Sequence, residues 1–540
     1  MTHRQTSQSQ TDCLIIGFNE MNFEEYEQSL RRMGAHDGAY RDLYLDFIYH
    51  KGRALPVGEV FNLFRHPSVP PIRLEEDFSA TISYLGSYLH RRGFTFDYIN
   101  SFQDEKDLLA EKLKQGDILT VAVTTTLYVS VMPILEIMEF VRRHNSDARV
   151  IVGGPFVYTQ VESLEGDALS ALFNLIDADY YVYSSQGEGA LVDLLTCLKQ
   201  GRAVDGVNNL YYRDNGDFTA TPVKRENNQL AENIVDWTLF QDRLTEHVTM
   251  RTSISCPFKC GFCGFPTIAG PYETINAPLI QRELDQLADS GAVQYLHFID
   301  DTFNVPVERF KDILRMMIKR KYPFKWHSYF RCQFADEETV ELMKLSGCEG
   351  VFLGVESGSD RILKNMNKAA TVEQYLKGIK LLKQYGIVTQ ASFIMGFPGE
   401  TADTARETDA FIQESGLDFY RIVLWYCLHH TPIWQKREEF GIEGRSFNWR
   451  HATMDSRTAC DYIDEIYFSE KSSIWMPHYN FDEVNFWHLM HRGFTLDQAK
   501  RFLAAFNDAV KEKIKSPPFA EPELSTLRTL KAACDIQTND

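Results

Sequence analysis

The chain has 540 residues, 44% hydrophobic and 24% charged, an ordinary globular mixture that a prior of roughly 150 residues per domain divides into two to four domains. Its formal charge of −19, from 56 basic and 75 acidic residues, excludes a broad nucleic-acid footprint. Ten cysteines over this length do not make a disulfide framework and fit a reducing cytosol; no apolar run reaches a membrane span, and the polar start of the chain has no signal-peptide core, so the sequence reads as a soluble cytoplasmic protein.

Asp12 to Phe18 is a short apolar run bounded by polar residues and reads as a buried strand. From there to about Ala80 the chain is irregular and aromatic-rich, too long for a turn, and reads as a cap or an arm packed on something large. A helix over 82–92 leads to strands at 94–102, 117–126, 149–156 and 178–183. Ile134, Ile137, Met138 and Val141 give the helix over 132–144 its apolar face. Strands alternating with helices predict an open, doubly wound parallel sheet. Ligands of such sheets bind outside the carboxyl ends of the strands. Here those ends carry Thr124-Thr125-Thr126, Gly153-Gly154-Pro155 and Gln186-Gly187-Glu188, hydroxyls and glycines suited to a large flat ligand, or simply tight strand-to-helix turns.

Residues 201–246 read as a linker with a small hairpin turning at Asn215-Gly216. A second strand-helix series follows, with strands expected at 247–256, 294–300, 324–331, 350–356, 389–396 and 419–426. Its first strand runs into Cys256, Cys260 and Cys263, spaced C-x3-C-x2-C. A closed zinc site takes four ligands, and an ordinary [4Fe–4S] cluster takes four thiolates. Three thiolates leave one iron of a four-iron cluster open to a small molecule; zinc is the alternative reading. The next strand ends in Asp300 and Asp301, acceptors for an amine or else helix caps. The third ends in Arg331, able to grip a carboxylate bidentately or to serve a structural ion pair. The fourth ends in Gly354-Val355-Glu356-Ser357-Gly358 and the fifth in Gly396-Phe397-Pro398-Gly399-Glu400. The sixth runs into His429 and His430, which face substrate or merely end a strand. After about 431 the alternation stops. The segment 431–540 reads as a helical cap with a capping box at Thr495, and its tail from about 515 is expected to fray.

The cysteine spacing, with Phe262 just before the third cysteine, resembles the radical SAM superfamily. Together with the glycine-rich strand ends upstream and the G-x-E-S-G element, it is similar to the cobalamin-dependent branch. More loosely, 38–43, 84–86 and 92–98 resemble the phosphinate P-methyltransferases of phosphinothricin biosynthesis. The resemblance implies an α/β chain: a Rossmann-like cobalamin domain over 1–200, a linker over 201–246, a partial (β/α)6 radical SAM barrel over 247–430 and the cap. It implies a [4Fe–4S] cluster on Cys256, Cys260 and Cys263. S-adenosylmethionine (SAM) would lie against Phe262, Asp300, Asp301, Arg331, Glu356, Ser357, Gly396 and Phe397. Cobalamin would lie against Thr124, Thr125, Thr126, Gly153, Gly154, Pro155, Gln186, Gly187 and Glu188. The D-x-H-x-x-G element that supplies a cobalt ligand is absent, and His90 reads as a surface or packing histidine. The implied activity is methyl transfer through methylcobalamin to an unactivated carbon or phosphinate phosphorus of a small-molecule or peptide substrate, with a flavodoxin- or ferredoxin-like electron donor. A non-methylating rearrangement or cyclisation on the same cofactors, and a non-enzymatic metal-binding scaffold, are the alternatives.

Overall fold

The computed structural model describes residues 10–535, apart from 74–75, 116, 127 and 480–482. The reading of the first residues as leaderless falls on 1–9, outside the described residues. The chain divides into two compact units, one built from 1–21, 77–254 and 268–293, the other from 22–76, 255–267 and 294–540.

The first unit holds a seven-stranded sheet. Five parallel strands stand in the spatial order Phe96–Ser101, Cys13–Phe18, Thr120–Thr124, Arg149–Gly153 and Tyr180–Val182. Their centres are continuous apolar runs because both faces are covered, as parallel strands require: Leu14, Ile16, Val121, Val123, Val150 and Val152 are all buried in one core. Chain order against spatial order is 2-1-3-4-5, so the strand order reverses between Cys13–Phe18 and Thr120–Thr124, the switch point where such sheets bind ligands. The hairpin Leu210–Asp214 and Asp217–Ala220 does not stand apart. Its first strand pairs antiparallel with Tyr180–Val182 and widens the sheet.

The second unit carries parallel strands in consecutive order, Tyr295–Phe298, Lys325–Phe330, Cys348–Glu356, Val388–Met395 and Phe419–Leu424, with helices between them. That is the winding of a (β/α) barrel, whose functional groups gather at the carboxyl ends of the strands. All five match the strands expected from the sequence to within two residues at either end. Beyond 431 the expectation of helix and loop is incomplete: Ile474–Trp475 adds a sixth parallel strand beside Phe419–Leu424. The tail also differs. Leu524–Cys534 is a helix with Leu530 and Cys534 fully buried, so apolar contact holds it where composition suggested fraying. The capping box is present, with Thr495 and Gln498 each accepting from the other's backbone amide.

The early aromatic stretch is an arm of this second unit, with helices Phe23–Met33, Gly38–Leu43 and Val57–Phe64 around the hairpin Phe47–His50 and Arg53–Pro56. Two buried cations anchor it. Arg421 pairs with Asp46 and, at 3.4 Å, with Asp42. Lys513 donates to the carbonyls of Tyr44 and Phe47 at 2.5 and 2.7 Å, and its charge lies over both rings. Arg421→Met would strand the buried carboxylate of Asp46 and the half-buried one of Asp42, a loss of roughly 3–5 kcal/mol. The expected outcome is a lower urea midpoint for the second unit; an unchanged midpoint would show that the pairs contribute nothing.

Candidate active site

The cysteine loop belongs wholly to the second unit. Cys256 and Cys263 are partly buried and Cys260 is buried. The loop cannot hold its own shape, and neighbouring segments strap it on two sides. Gly261 N donates to Met366 O at 2.7 Å, Asn367 Nδ2 donates to Lys259 O at 2.7 Å, and Ile433 N donates to Gly261 O at 2.9 Å. Gly264 is required by crowding, since a Cβ there would lie 2.4 Å from the His430 ring. Burial pushes the Cys263 thiol up to about 11, with the charges of Cys260, Asp301 and Cys256 adding to the shift. Burial also raises Cys256. Thiolates that desolvation and mutual repulsion both disfavour are stabilised by a shared cationic centre, and soft sulfur ligands suit iron–sulfur chemistry. The donor set therefore fits such a group.

Around this loop stand the strand-end residues. Asp300 is buried, whereas Asp301 is exposed; desolvation first and the Asp300 carboxylate second push Asp301 up to about 7. Arg331 is buried. Its Nη2 donates to Cys260 Sγ at 3.3 Å, its Nη1 to Lys368 O at 3.1 Å, and its guanidinium lies 3.6 Å over the Phe258 ring. Glu356 has a left-handed backbone at φ 70°, where the pairing with Val388–Met395 shifts register, and its Oε1 accepts from Lys368 Nζ at 2.8 Å. Phe262 stands edge-on to Phe397 at 6.4 Å.

Other predicted residues are engaged within the protein. Ser357 is fully buried and its Oγ accepts from Ser359 N. Gly396 gives its amide to Glu400 and its carbonyl to His451, and a Cβ there would meet Trp449 at 2.3 Å, so the close neighbour that demands glycine is a tryptophan. His429 stacks on Trp434 at 3.8 Å and its Nε2 lies 3.0 Å from Gly444 O. Sequence reading missed Lys368 and Asn304. Lys368 lies downstream of the G-x-E-S-G turn, past a six-residue helix. Asn304 exchanges two hydrogen bonds with the Arg331 backbone, both 3.0 Å.

In the first unit, parallel pairing puts Thr124 beside Gly153 and Gly153 beside Val182, so the predicted strand ends do come together. Their hydroxyls are largely spent internally. Thr124 Oγ1 donates to Ile16 O, Thr125 Oγ1 to Gly153 O, and Thr126 Oγ1 lies 3.2 Å from Thr81 Oγ1. Gly154 has φ 110° and a Cβ there would crowd Thr125 Oγ1 at 2.9 Å, while Pro155 opens the following helix. Gln186 Oε1 accepts from Asn228 N at 3.0 Å, and Glu188 accepts from Asn228 Nδ2. Glu226, which sequence reading also missed, caps the helix after Gly187 through the amides of Gly189 and Ala190. Exposed Val129 and Met132 lie just past the threonines, an apolar rim that fits a large macrocycle. His90 is exposed near the end of its helix, as expected.

Residues 250–412 match the profile of the Radical SAM superfamily. That segment of the chain carries the match, and it contains the three-cysteine loop and the strand ends around it. The chain is 26% identical over 350 residues to an uncharacterized methyltransferase of Pyrococcus horikoshii, covering 63% of this chain and 73% of the relative. It is likewise 26% identical over 430 residues to the anaerobic magnesium-protoporphyrin IX monomethyl ester cyclase of Rubrivivax gelatinosus, covering 74% and 75%. In fold it is similar to the cobalamin-dependent S-adenosylmethionine radical enzyme OxsB solved with aqua-cobalamin, at a TM-score of 0.57 and 16% identity over 97% of this chain and 79% of that one. Among the described residues no helix is long and apolar enough to cross a membrane.

Burial raises the Glu188 carboxyl from 4.5 to about 7. The folded protein thus keeps a proton that the unfolded chain releases near 4.5, and folding stability falls as pH rises between those values. Glu188→Gln should raise the melting temperature of the cofactor-free protein at pH 8 and leave it unchanged at pH 4. Equal shifts at both pH values would show that ionisation of Glu188 is not what costs stability.

Proposed function

We propose that the protein is a cobalamin-dependent radical SAM methyltransferase, with Cys256, Cys260 and Cys263 as the protein ligands of a [4Fe–4S] cluster. The observation that carries this reading is the strapped three-thiol loop beside Asp300, Arg331 and Glu356, which with Asp301 stand at the carboxyl ends of consecutive strands. When bound, the cluster supplies the electron that cleaves SAM, and cobalamin carries the methyl group. The chain's own residues do the rest. Asp300 and Asp301 offer acceptors to the SAM amine, and Glu356, held by Lys368, keeps its second oxygen for the ribose hydroxyls. Phe262 and Phe397 present rings at the same rim.

In the first unit the switch-point crevice holds cobalamin against Thr124 to Thr126, Gly153 to Pro155 and Gln186 to Glu188, with no histidine of the chain on cobalt. The contacts to it are backbone and apolar, since the threonine hydroxyls already have partners. The acceptor is an unactivated carbon or phosphinate phosphorus of a small molecule or peptide. The protein works in the cytoplasm, where its ten free cysteines stay reduced and a flavodoxin- or ferredoxin-like donor reaches the cluster. The domain boundaries of this reading are 1–200, 201–246, 247–430 and 431–540.

A second reading, cyclisation or rearrangement without methylation, is favoured by the cyclase relation across three quarters of both chains. Product mass separates the two: with methyl-d3 SAM, methylation adds a +3 label to the product, and an unlabelled product with 5′-deoxyadenosine would establish the second reading. Triple alanine substitution of the cysteines should remove the iron and the broad visible absorption after anaerobic reconstitution; unchanged iron per chain would sink the ligand assignment.

Charge-assisted hydrogen bonds from a diol to Glu356 are worth roughly 1.5–3 kcal/mol. Glu356→Gln should therefore weaken SAM binding about tenfold at full iron loading. Unchanged affinity, measured on a sample whose iron is counted, would remove Glu356 from the SAM site.

A further inference from the structure

We infer that Arg331 is a positioning residue for the iron–sulfur site: acting through Cys260, it holds a buried positive charge on a cluster sulfur and raises the reduction potential. The inference rests on the cysteine ligation proposed above and departs from a role for Arg331 on the SAM carboxylate.

Both arms of the guanidinium are already directed. Nη2 points to Cys260 Sγ at 3.3 Å and Nη1 to the carbonyl of Lys368 at 3.1 Å. The Phe258 ring covers the guanidinium at 3.6 Å, and Phe258 in turn stacks on Phe334 at 6.0 Å. The backbone of Arg331 is held at two points by Asn304. The nearby carboxylate of Glu356 is taken by Lys368, which leaves the arginine charge facing sulfur. A side chain fixed at its backbone, its ring face and both arms is not free to swing to a substrate carboxylate. The fork geometry matters too, because a lysine ammonium would keep the charge but could not span both acceptors in this arrangement.

Hydrogen bonds and positive charge at ligating sulfur stabilise the more negative, reduced state of a cluster, and such partners outside the ligand set tune potential. A buried cation facing Cys260 therefore makes reduction by an external donor easier. It also opposes the repulsion among three thiolates in the oxidised state, which lets one residue serve loop order and potential together.

The test is a redox titration of the anaerobically reconstituted full-length protein, with low-potential mediators and EPR detection of the reduced cluster. Arg331→Met, at unchanged iron per chain, is expected to raise the oxidised-to-reduced ratio about tenfold at a fixed poise, a downward shift of about 59 mV for a one-electron couple. Arg331→Lys is expected to fall between the two. An unchanged potential overturns the inference, and an unchanged potential with weakened SAM binding returns Arg331 to the carboxylate. If the methionine variant retains no iron, the unsubstituted protein decides. With 15N-arginine incorporated, pulsed EPR of the reduced cluster should show a weak 15N coupling at hydrogen-bond distance, and its absence overturns the inference. Failure of the cysteine reading looks different, because the unsubstituted protein would then take up no four-iron cluster at all.

Discussion

Three thiols on one short loop, one buried and two partly buried, are the constraint on which the second unit depends. Without a cation the arrangement is unfavourable: burial raises Cys256 and Cys263, and neighbouring sulfurs raise Cys263 further. With one, the same closeness becomes an affinity. The loop is too short to fold on itself, so its backbone is tied to Met366, Asn367 and Ile433, segments that the strand-helix winding delivers to the same rim. The barrel thus supplies what the cysteines lack, a fixed frame.

The charged groups at that rim are arranged in compensated sets. Lys368 answers Glu356, and Arg331 answers sulfur and a carbonyl. Asp300 and Asp301 are chain neighbours, and desolvation with the Asp300 charge holds the Asp301 carboxyl far above the ordinary range. Unpaired charge in such surroundings is costly, so each set either finds a protein partner or waits for a ligand of opposite sign. The first unit works differently. Its strand ends spend their hydroxyls on neighbouring backbone and offer glycine surfaces with an apolar rim, terms suited to a bulky neutral face.

The relation to a methyltransferase on one side and a cyclase on the other, at equal identity, illustrates how far a shared frame leaves the outcome open. A reaction is decided by what sits against the reacting atoms, not by the fold that carries them. In this chain the arm over 22–64 and the cap are the parts most distinct from a bare strand-helix repeat. Lys513 joins the arm to the cap through the carbonyls of Tyr44 and Phe47, and Arg421 joins it to the strand Phe419–Leu424 through Asp46, each contact spanning hundreds of positions in sequence.

The sequence by itself determined the parts whose physics is local. The C-x3-C-x2-C spacing fits three ligands to one centre, alternation of apolar strands and amphipathic helices fixes the winding, and Thr495 with Gln498 closes a capping box within one turn. Even the five main strands of the second unit are set by their own apolar runs. What only the tertiary structure decided is which distant groups meet. Lys368 reaches Glu356, Asn304 clamps Arg331, Arg331 turns to Cys260, Glu226 caps the helix after Gly187, and Trp449 fills the space that makes Gly396 a glycine. The strand Ile474–Trp475 and the buried tail helix belong to the same class. Two-residue pairing and the burial of a few side chains carry too little local signal to stand out. These contacts depend on where the chain returns, and periodicity and motif spacing describe only where it goes next.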